Sequence, residues 1–174
     1  VHRGLHFLSN TATDRFEAVR EKIQKFLGAK FSDEIIFTSG TTEALNLISY
    51  GWGECNLFEG DEVVLSVMEH HANIVPWHFL RVKKGIKLKW VEPRLDGSLP
   101  AEDVLAAISP RTKLIAITHM SNVLGSIVDV KKICKSHLTK KIPVLVDGSQ
   151  AAVHMSVNVK EIGCDFYTVT GHKL

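Results

Sequence analysis

The stretch Pro143-Val144-Leu145-Val146-Asp147-Gly148-Ser149-Gln150 decides how this chain is read. Three consecutive apolar residues make a strand buried on both faces, the pattern of parallel sheets. An acid then appears where that strand ends. A buried carboxylate is costly without a partner. Its ordinary reading is the cap of a following helix. Its functional reading is a partner for a buried cationic nitrogen, with Gln150 in reach of the same ligand if the segment turns helically. Farther along, Cys164-Asp165-Phe166-Tyr167-Thr168-Val169-Thr170-Gly171-His172-Lys173 repeats the arrangement, an apolar run ending in a small, polar, cationic cluster. An acid at one strand end and a lysine at the next are what pyridoxal phosphate (PLP) requires. The lysine forms the Schiff base, and the carboxylate holds the pyridine nitrogen protonated.

Outward from these two runs, strands alternate with helices. Glu34–Thr38, Glu62–Val67, Leu88–Glu92 and Leu114–Thr118 read as further strands, and the two runs above add Val144–Val146 and Phe166–Val169. Helices are expected over Asp14–Leu27, Glu43–Tyr50, Asn73–Val82, Ala101–Ile108 and Val130–His137. In the first, Phe16, Val19, Ile23, Phe26 and Leu27 share a face, Asp14 and Glu17 form a capping box, and Gly28 stops the helix. In the last, Val130, Ile133, Cys134 and His137 share a face. Val1–Ala12 has no period and reads as extended. The alternation predicts an α/β fold: a three-layer α/β/α domain with a mostly parallel sheet. In such sheets ligands bind at the carboxyl ends of the strands. Five polar clusters are expected there: Ser39–Thr42, His70-His71, His119–Asn122, Asp147–Gln150 and Thr170–Lys173. One shared site is a simpler reading than five unrelated loops.

Composition sets the outer bounds. The 174 residues are 45% apolar and 23% charged, ordinary for a globular protein, and the net charge is +2. That balance gives no reason to expect nucleic acid or an anionic membrane as partner. The basic group Arg81, Lys83, Lys84, Lys87 and Lys89 reads as a solvated surface. Three cysteines, Cys55, Cys134 and Cys164, are widely spaced and form neither a zinc pattern nor a disulfide framework. No metal is expected, and a reducing compartment is the simpler assumption.

Each cluster has a plain alternative. Ser39-Gly40-Thr41-Thr42 at a helix start offers free backbone N–H groups, the positive end of the helix dipole and two hydroxyls, a cradle for phosphate. Taken alone it is an ordinary N-cap. It is neither a Walker loop nor a GxGxxG fingerprint, so ATP and NAD are not indicated. Adjacent histidines in Glu69-His70-His71 seldom point the same way, which disfavours a two-His metal site. One imidazole stacked on a planar cofactor fits better. His119 reads as a hydrogen-bonded core histidine.

Taken together, VHRGLHFLSNTATDRFEAVREK, EIIFTSGTTEALNLI, GDEVVLSVMEHHANIVPWHFL, THMSNVLGSI, VLVDGSQAAVH and GCDFYTVTGHKL closely resemble the SUF-type cysteine desulfurases, PLP enzymes of the aspartate aminotransferase fold and class V aminotransferase family. The resemblance spans almost the whole chain, and EHHANIVPW and SNVLG point to this branch. It implies that Lys173 is the Schiff-base lysine and Asp147 the pyridine-nitrogen partner. It implies that Gln150 bonds the cofactor's phenolic oxygen and that His70 stacks on the ring and transfers protons. Thr41, Thr42, Thr170 and His172 would hold the phosphate, and Asn122 would lie near the substrate carboxylate. Thr170 stands where Ser is usual, and Ser149 where Ala is frequent.

The implied reaction removes sulfur from L-cysteine to give alanine and an enzyme persulfide. The sulfur then passes to an acceptor protein for iron–sulfur clusters. The resemblance also implies that residues 1–174 are part of the PLP-binding large domain, with a second small domain, the nucleophilic cysteine and a carboxylate-binding arginine lying beyond Leu174. A homodimer is expected, located in the cytoplasm, or in a plastid-type organelle if a eukaryotic targeting segment has been removed. Two rivals remain open at this point. One is a selenocysteine lyase of the same fold and cofactor. The other is a non-catalytic PLP-fold scaffold, against which the intact Lys173, Asp147, Gln150 and His70 set argues.

Overall fold

The structure is a computed structural model and describes residue 4 and residues 6–174. Five strands form one sheet: β1 (Glu62–Ser66), β2 (Lys87–Val91), β3 (Thr112–Thr118), β4 (Val144–Asp147) and β5 (Phe166–Thr168). Their order is β2-β1-β3-β4-β5 and every pairing is parallel. The α/β expectation from the apolar runs therefore holds.

Among the described residues eight α-helices accompany the sheet: α1 (Phe7–Leu27), α2 (Thr41–Ile48), α3 (Glu54–Asn56), α4 (Val75–Lys84), α5 (Ala101–Ala106), α6 (Val130–Lys135), α7 (Ala151–His154) and α8 (Val159–Ile162). Residues alternate between the sheet's two faces with period two. Val63, Leu65, Leu114, Ala116 and Leu145 pack with Leu45 of α2 and Trp77 and Leu80 of α4. Val64, Ile115, Ile117, Val144 and Val146 pack with Val104 of α5, Val130 and Ile133 of α6 and Ile162 of α8. These are two apolar layers on one sheet, hence the three-layer sandwich. Each fully buried Leu or Ile stabilises it by about 1.5–3 kcal/mol.

Several expected elements differ. Glu34–Thr38 is not a strand: a 3₁₀ turn covers Ser32–Glu34, and the extended residues after it pair with no strand. An apolar run becomes a strand only where a neighbour accepts its ladder bonds, and Ile36 and Phe37 lie exposed instead. The first helix begins at Phe7, so residues 7–12 are helical rather than extended; positions 1–3 and 5 of that expectation lie outside the described residues. His6 is the N-cap, its Nδ1 accepting from the Ser9 N–H, which leaves the expected Asp14–Glu17 capping box mid-helix. Glu17 pairs with Arg20 instead. Gly28 does end the helix, in the left-handed conformation. The apolar stripe of α1 is mostly uncovered, with Phe16, Val19 and Phe26 exposed and only Leu27 fully buried among the five named. α6 stops at Lys135, and His137 is exposed in the next 3₁₀ turn rather than facing the core. α7 and α8 are too short to show a period.

Gly148 sits where β4 gives way to the site. A Cβ there would lie 2.1 Å from Cε1 and 2.3 Å from the hydroxyl of Tyr167. That ring is pinned, because Tyr167 Oη lies 2.9 Å from His119 Nδ1. Gly148→Ala is therefore expected to destabilise the fold by about 1–3 kcal/mol, as overpacking does. A denaturant melt should show a lower midpoint with unchanged slope; an unchanged midpoint would refute the packing account.

Candidate active site

All five polar clusters contribute to one cavity of about 410 Å³. Its lining includes Thr41, Thr42, His70, Asn122, Asp147, Gln150, Thr170, His172 and Lys173, every site residue expected from the sequence. The cavity lies over the carboxyl ends of β1, β3, β4 and β5. β1 and β3 are the neighbours from which the strand order runs in opposite directions, the usual crevice of such sheets. One cluster reaches the cavity differently than expected: Ser39–Thr42 follows the unpaired extended segment, not a strand.

Asp147 is the last residue of β4 and is 6% exposed. It does not cap a helix. Its Oδ1 accepts from the Ser149 N–H at 3.0 Å and the Ser149 hydroxyl at 2.6 Å. Oδ2 has no partner among the described residues. Gln150 is the N-cap of α7. Thr170 Oγ1 lies 2.9 Å from His172 Nδ1, which closes a turn over residues 170–172 just before Lys173. Lys173 is exposed and ends a 3₁₀ turn, Gly171–Lys173.

α2 starts at the cavity with Gly40 as N-cap and no side-chain cap. Its first intrahelical bond is Ala44 N–H to Gly40 C=O, so the N–H groups of Thr41, Thr42 and Glu43 have no intrahelical acceptor. Glu43, not singled out by sequence, accepts from the Ser39 N–H, and that bond holds its carboxyl below the usual value.

His70 is exposed, and its Nδ1 accepts from the Ala72 N–H at 3.1 Å. In the neutral ring that bond places the proton on Nε2. The His71 ring stands nearly perpendicular at 6.3 Å and lies outside the cavity lining. His119 also turns away. It is buried against Tyr167, and desolvation pushes its pKa down. None of the three cysteines lines the cavity. Burial pushes the Cys134 and Cys164 thiols up to about 12. Among the described residues no cluster of three or more metal-binding side chains occurs, and no helix is long and apolar enough to cross a membrane.

The residue the sequence reading overlooked is Glu69. It is buried beside His70, and its carboxyl takes three donors: the Ser66 hydroxyl at 2.5 Å, the Thr118 N–H at 2.9 Å and the Asn73 amide at 2.8 Å. The Trp77 indole N–H donates in turn to Asn73 Oδ1 at 3.2 Å. One acid thus ties the ends of β1 and β3 to the start of α4. The spacing Glu69, Asn73, Trp77, four residues each, was the available signal.

The fold is an α/β sandwich with a polar cavity at its strand ends, the architecture of a ligand-binding enzyme domain. The particular family is the aminotransferase class-V family, whose model matches residues 1–174, and the chain belongs to it. Members of this family are PLP-dependent enzymes. The chain is 48% identical over its whole length to a probable cysteine desulfurase of Halalkalibacterium halodurans. A cysteine desulfurase of Thermococcus onnurineus in its apo form superimposes on 98% of the chain with a TM-score of 0.90 at 40% identity. The cysteine desulfurase CsdA of Escherichia coli gives 0.89 at 35% identity over 99% of the chain. The chain spans 43% of the first relative, 42% of the Thermococcus chain and 43% of the CsdA chain.

The cavity's donor set fits PLP. An uncapped helix start and hydroxyls suit a phosphate dianion, a buried acid with one free oxygen suits a protonated ring nitrogen, and an amine stands at the same rim.

Burial raises the Glu69 carboxyl to about 7, against three hydrogen bonds that lower it and with Asp147 adding to the rise. Below pH 4.5, its ordinary value, folded and unfolded chains are both protonated there. Between 4.5 and about 7 the unfolded chain ionises first, so stability falls as pH rises, by a few kcal/mol (~3) in all. Glu69→Gln should remove that slope from the pH dependence of unfolding. A variant with the same slope as the parent over this range would contradict the assignment.

Proposed function

We propose that this chain supplies the cofactor-holding part of a PLP-dependent cysteine desulfurase of the SUF type. The observation that carries the proposal is the convergence of Asp147, Lys173, His70 and the open start of α2 on one cavity. Relatives called cysteine desulfurase support the same reading.

In this reading Lys173 would hold the cofactor as its Schiff base and Asp147 would keep its ring nitrogen protonated, through the oxygen that Ser149 leaves open. The N–H groups of Thr41 and Thr42, the Thr42 and Thr170 hydroxyls and His172 hold the phosphate. Gln150 would bond the phenolic oxygen, and His70 would lie against the ring; both line the cavity. Bound there, PLP supplies an electron sink for the charge left when a substrate α-proton departs. Lys173 and His70 are the groups that move protons, with Nε2 the His70 nitrogen not engaged by backbone. Asn122, on the loop closed by the Met120–Ile127 bridge, orients the substrate carboxylate.

The overall reaction takes L-cysteine and a thiol to L-alanine and a persulfide. One carbon–sulfur bond breaks and one sulfur–sulfur bond forms. We assign the nucleophilic thiol and the arginine that grips the substrate to parts of the enzyme outside these residues, in a second domain. The enzyme works as a homodimer and hands sulfur to an acceptor protein for iron–sulfur clusters. The EHHANIVPW and SNVLG segments support this branch.

The protein carrying this sequence, loaded with PLP and given L-cysteine and a thiol reductant, should release alanine and sulfide in equal amounts. His70→Ala should lower turnover by about 10²–10⁴-fold, the usual cost of a lost proton-transfer group. Full activity in Lys173→Ala would sink the proposal. Residues 1–174 alone should give no sulfide; turnover matching the intact relatives would place the nucleophile among Cys55, Cys134 and Cys164.

A further inference from the structure

Ser149 stands where an alanine would fill the turn, yet its hydroxyl joins two parts of the site that are 108 residues apart in sequence. Ser149 Oγ lies 2.6 Å from Asp147 Oδ1 and 2.9 Å from Thr41 Oγ1. A hydroxyl carries one proton, and an ionised carboxylate accepts only. The Ser149 proton therefore goes to Asp147, in the shorter, charge-assisted bond. The Thr41 proton must then go to Ser149. Thr41 and Asp147 are both largely buried, so little of either side chain is open to solvent.

We propose that Thr41 and Ser149 form a two-hydroxyl relay that fixes the Asp147 carboxylate, and that the Thr41 side chain serves the acid rather than the phosphate. With its proton committed to Ser149, the Thr41 hydroxyl has none to give an anion at the start of α2. Its backbone N–H remains available there, as does the hydroxyl of the exposed Thr42. The two adjacent threonines thus divide their work: Thr42 binds phosphate, and Thr41 orients the ring-nitrogen partner. The relay and the Ser149 N–H both load Oδ1, which leaves Oδ2 for the ring. Ser149 and Thr41 are positioning residues, acting through Asp147. The inference rests on the PLP reading for its consequence, but the hydrogen-bond chain itself exists without a ligand.

Two measurements on the full protein separate these levels. In the cofactor-free protein, melting temperatures of Thr41→Val, Ser149→Ala and the double variant should be non-additive, the double losing little beyond Ser149→Ala. Additive losses would overturn the relay. Binding of PLP is then compared with binding of pyridoxal, which lacks the phosphate. Thr42→Ala should reduce the preference for PLP over pyridoxal by about tenfold, the scale of one charged hydrogen bond. Thr41→Val and Ser149→Ala should weaken both ligands several-fold and leave the preference unchanged. Loss of preference in Thr41→Val, matching Thr42→Ala, would overturn the division of labour. A parent protein that binds neither ligand would refute the proposed function, while the melting cycle still decides the relay.

Discussion

A negative charge at the end of an interior strand is the constraint around which the rest of this domain is arranged. Asp147 closes β4, between β3 and β5, and is almost wholly buried. Such a group is tolerated where hydrogen-bond donors meet it. The turn after β4 supplies the donors, Ser149 N–H and O–H. The parallel sheet supplies the place for a partner, since parallel pairing brings the ends of β1, β3 and β5 to the same edge. The cavity is a consequence of that topology, and its polar lining is what makes the buried acid affordable.

A second buried acid has the opposite task. Glu69 faces three donors and no cation, so its ionised form is held by hydrogen bonds while desolvation works against it. The balance leaves it near neutrality. Its bonds run to β1, β3 and the start of α4, which makes it a clasp for the backbone that carries His70. Two neighbouring buried carboxyls, Asp147 lining the cavity and Glu69 behind it, are distinguished by which donors surround them.

The sheet was legible in the sequence because strands buried on both faces read as unbroken apolar runs: Val63-Val64-Leu65, Leu114 to Ile117 and Val144 to Val146. Helix ends were less so. Residues 7–13 have weak helix preference and no periodic stripe, yet α1 includes them. Glu34–Thr38 had the composition of a strand and lacked a neighbour, which composition cannot reveal. The nine candidate site residues were visible as polar clusters after apolar runs, and the cavity gathers them, although the run before Thr41 and Thr42 is not a strand. What sequence did not show were the partners. Thr118 donates to Glu69 across 49 residues and Ser149 bonds Thr41 across 108. No role for Ser149 was legible because its hydroxyl acts through a contact that only folding creates.

The central claim is that Lys173 and Asp147 form one end of a PLP site. It is tested most directly by borohydride reduction of the PLP-treated protein followed by peptide mapping. Reduction freezes the lysine-bound cofactor as a stable pyridoxyl group. The account predicts a single modified peptide with the label on Lys173, and loss of that label's 1:1 stoichiometry in Asp147→Ala at limiting PLP. Label spread over surface lysines such as Lys83, Lys87 and Lys89, with Lys173 unmodified, would contradict it.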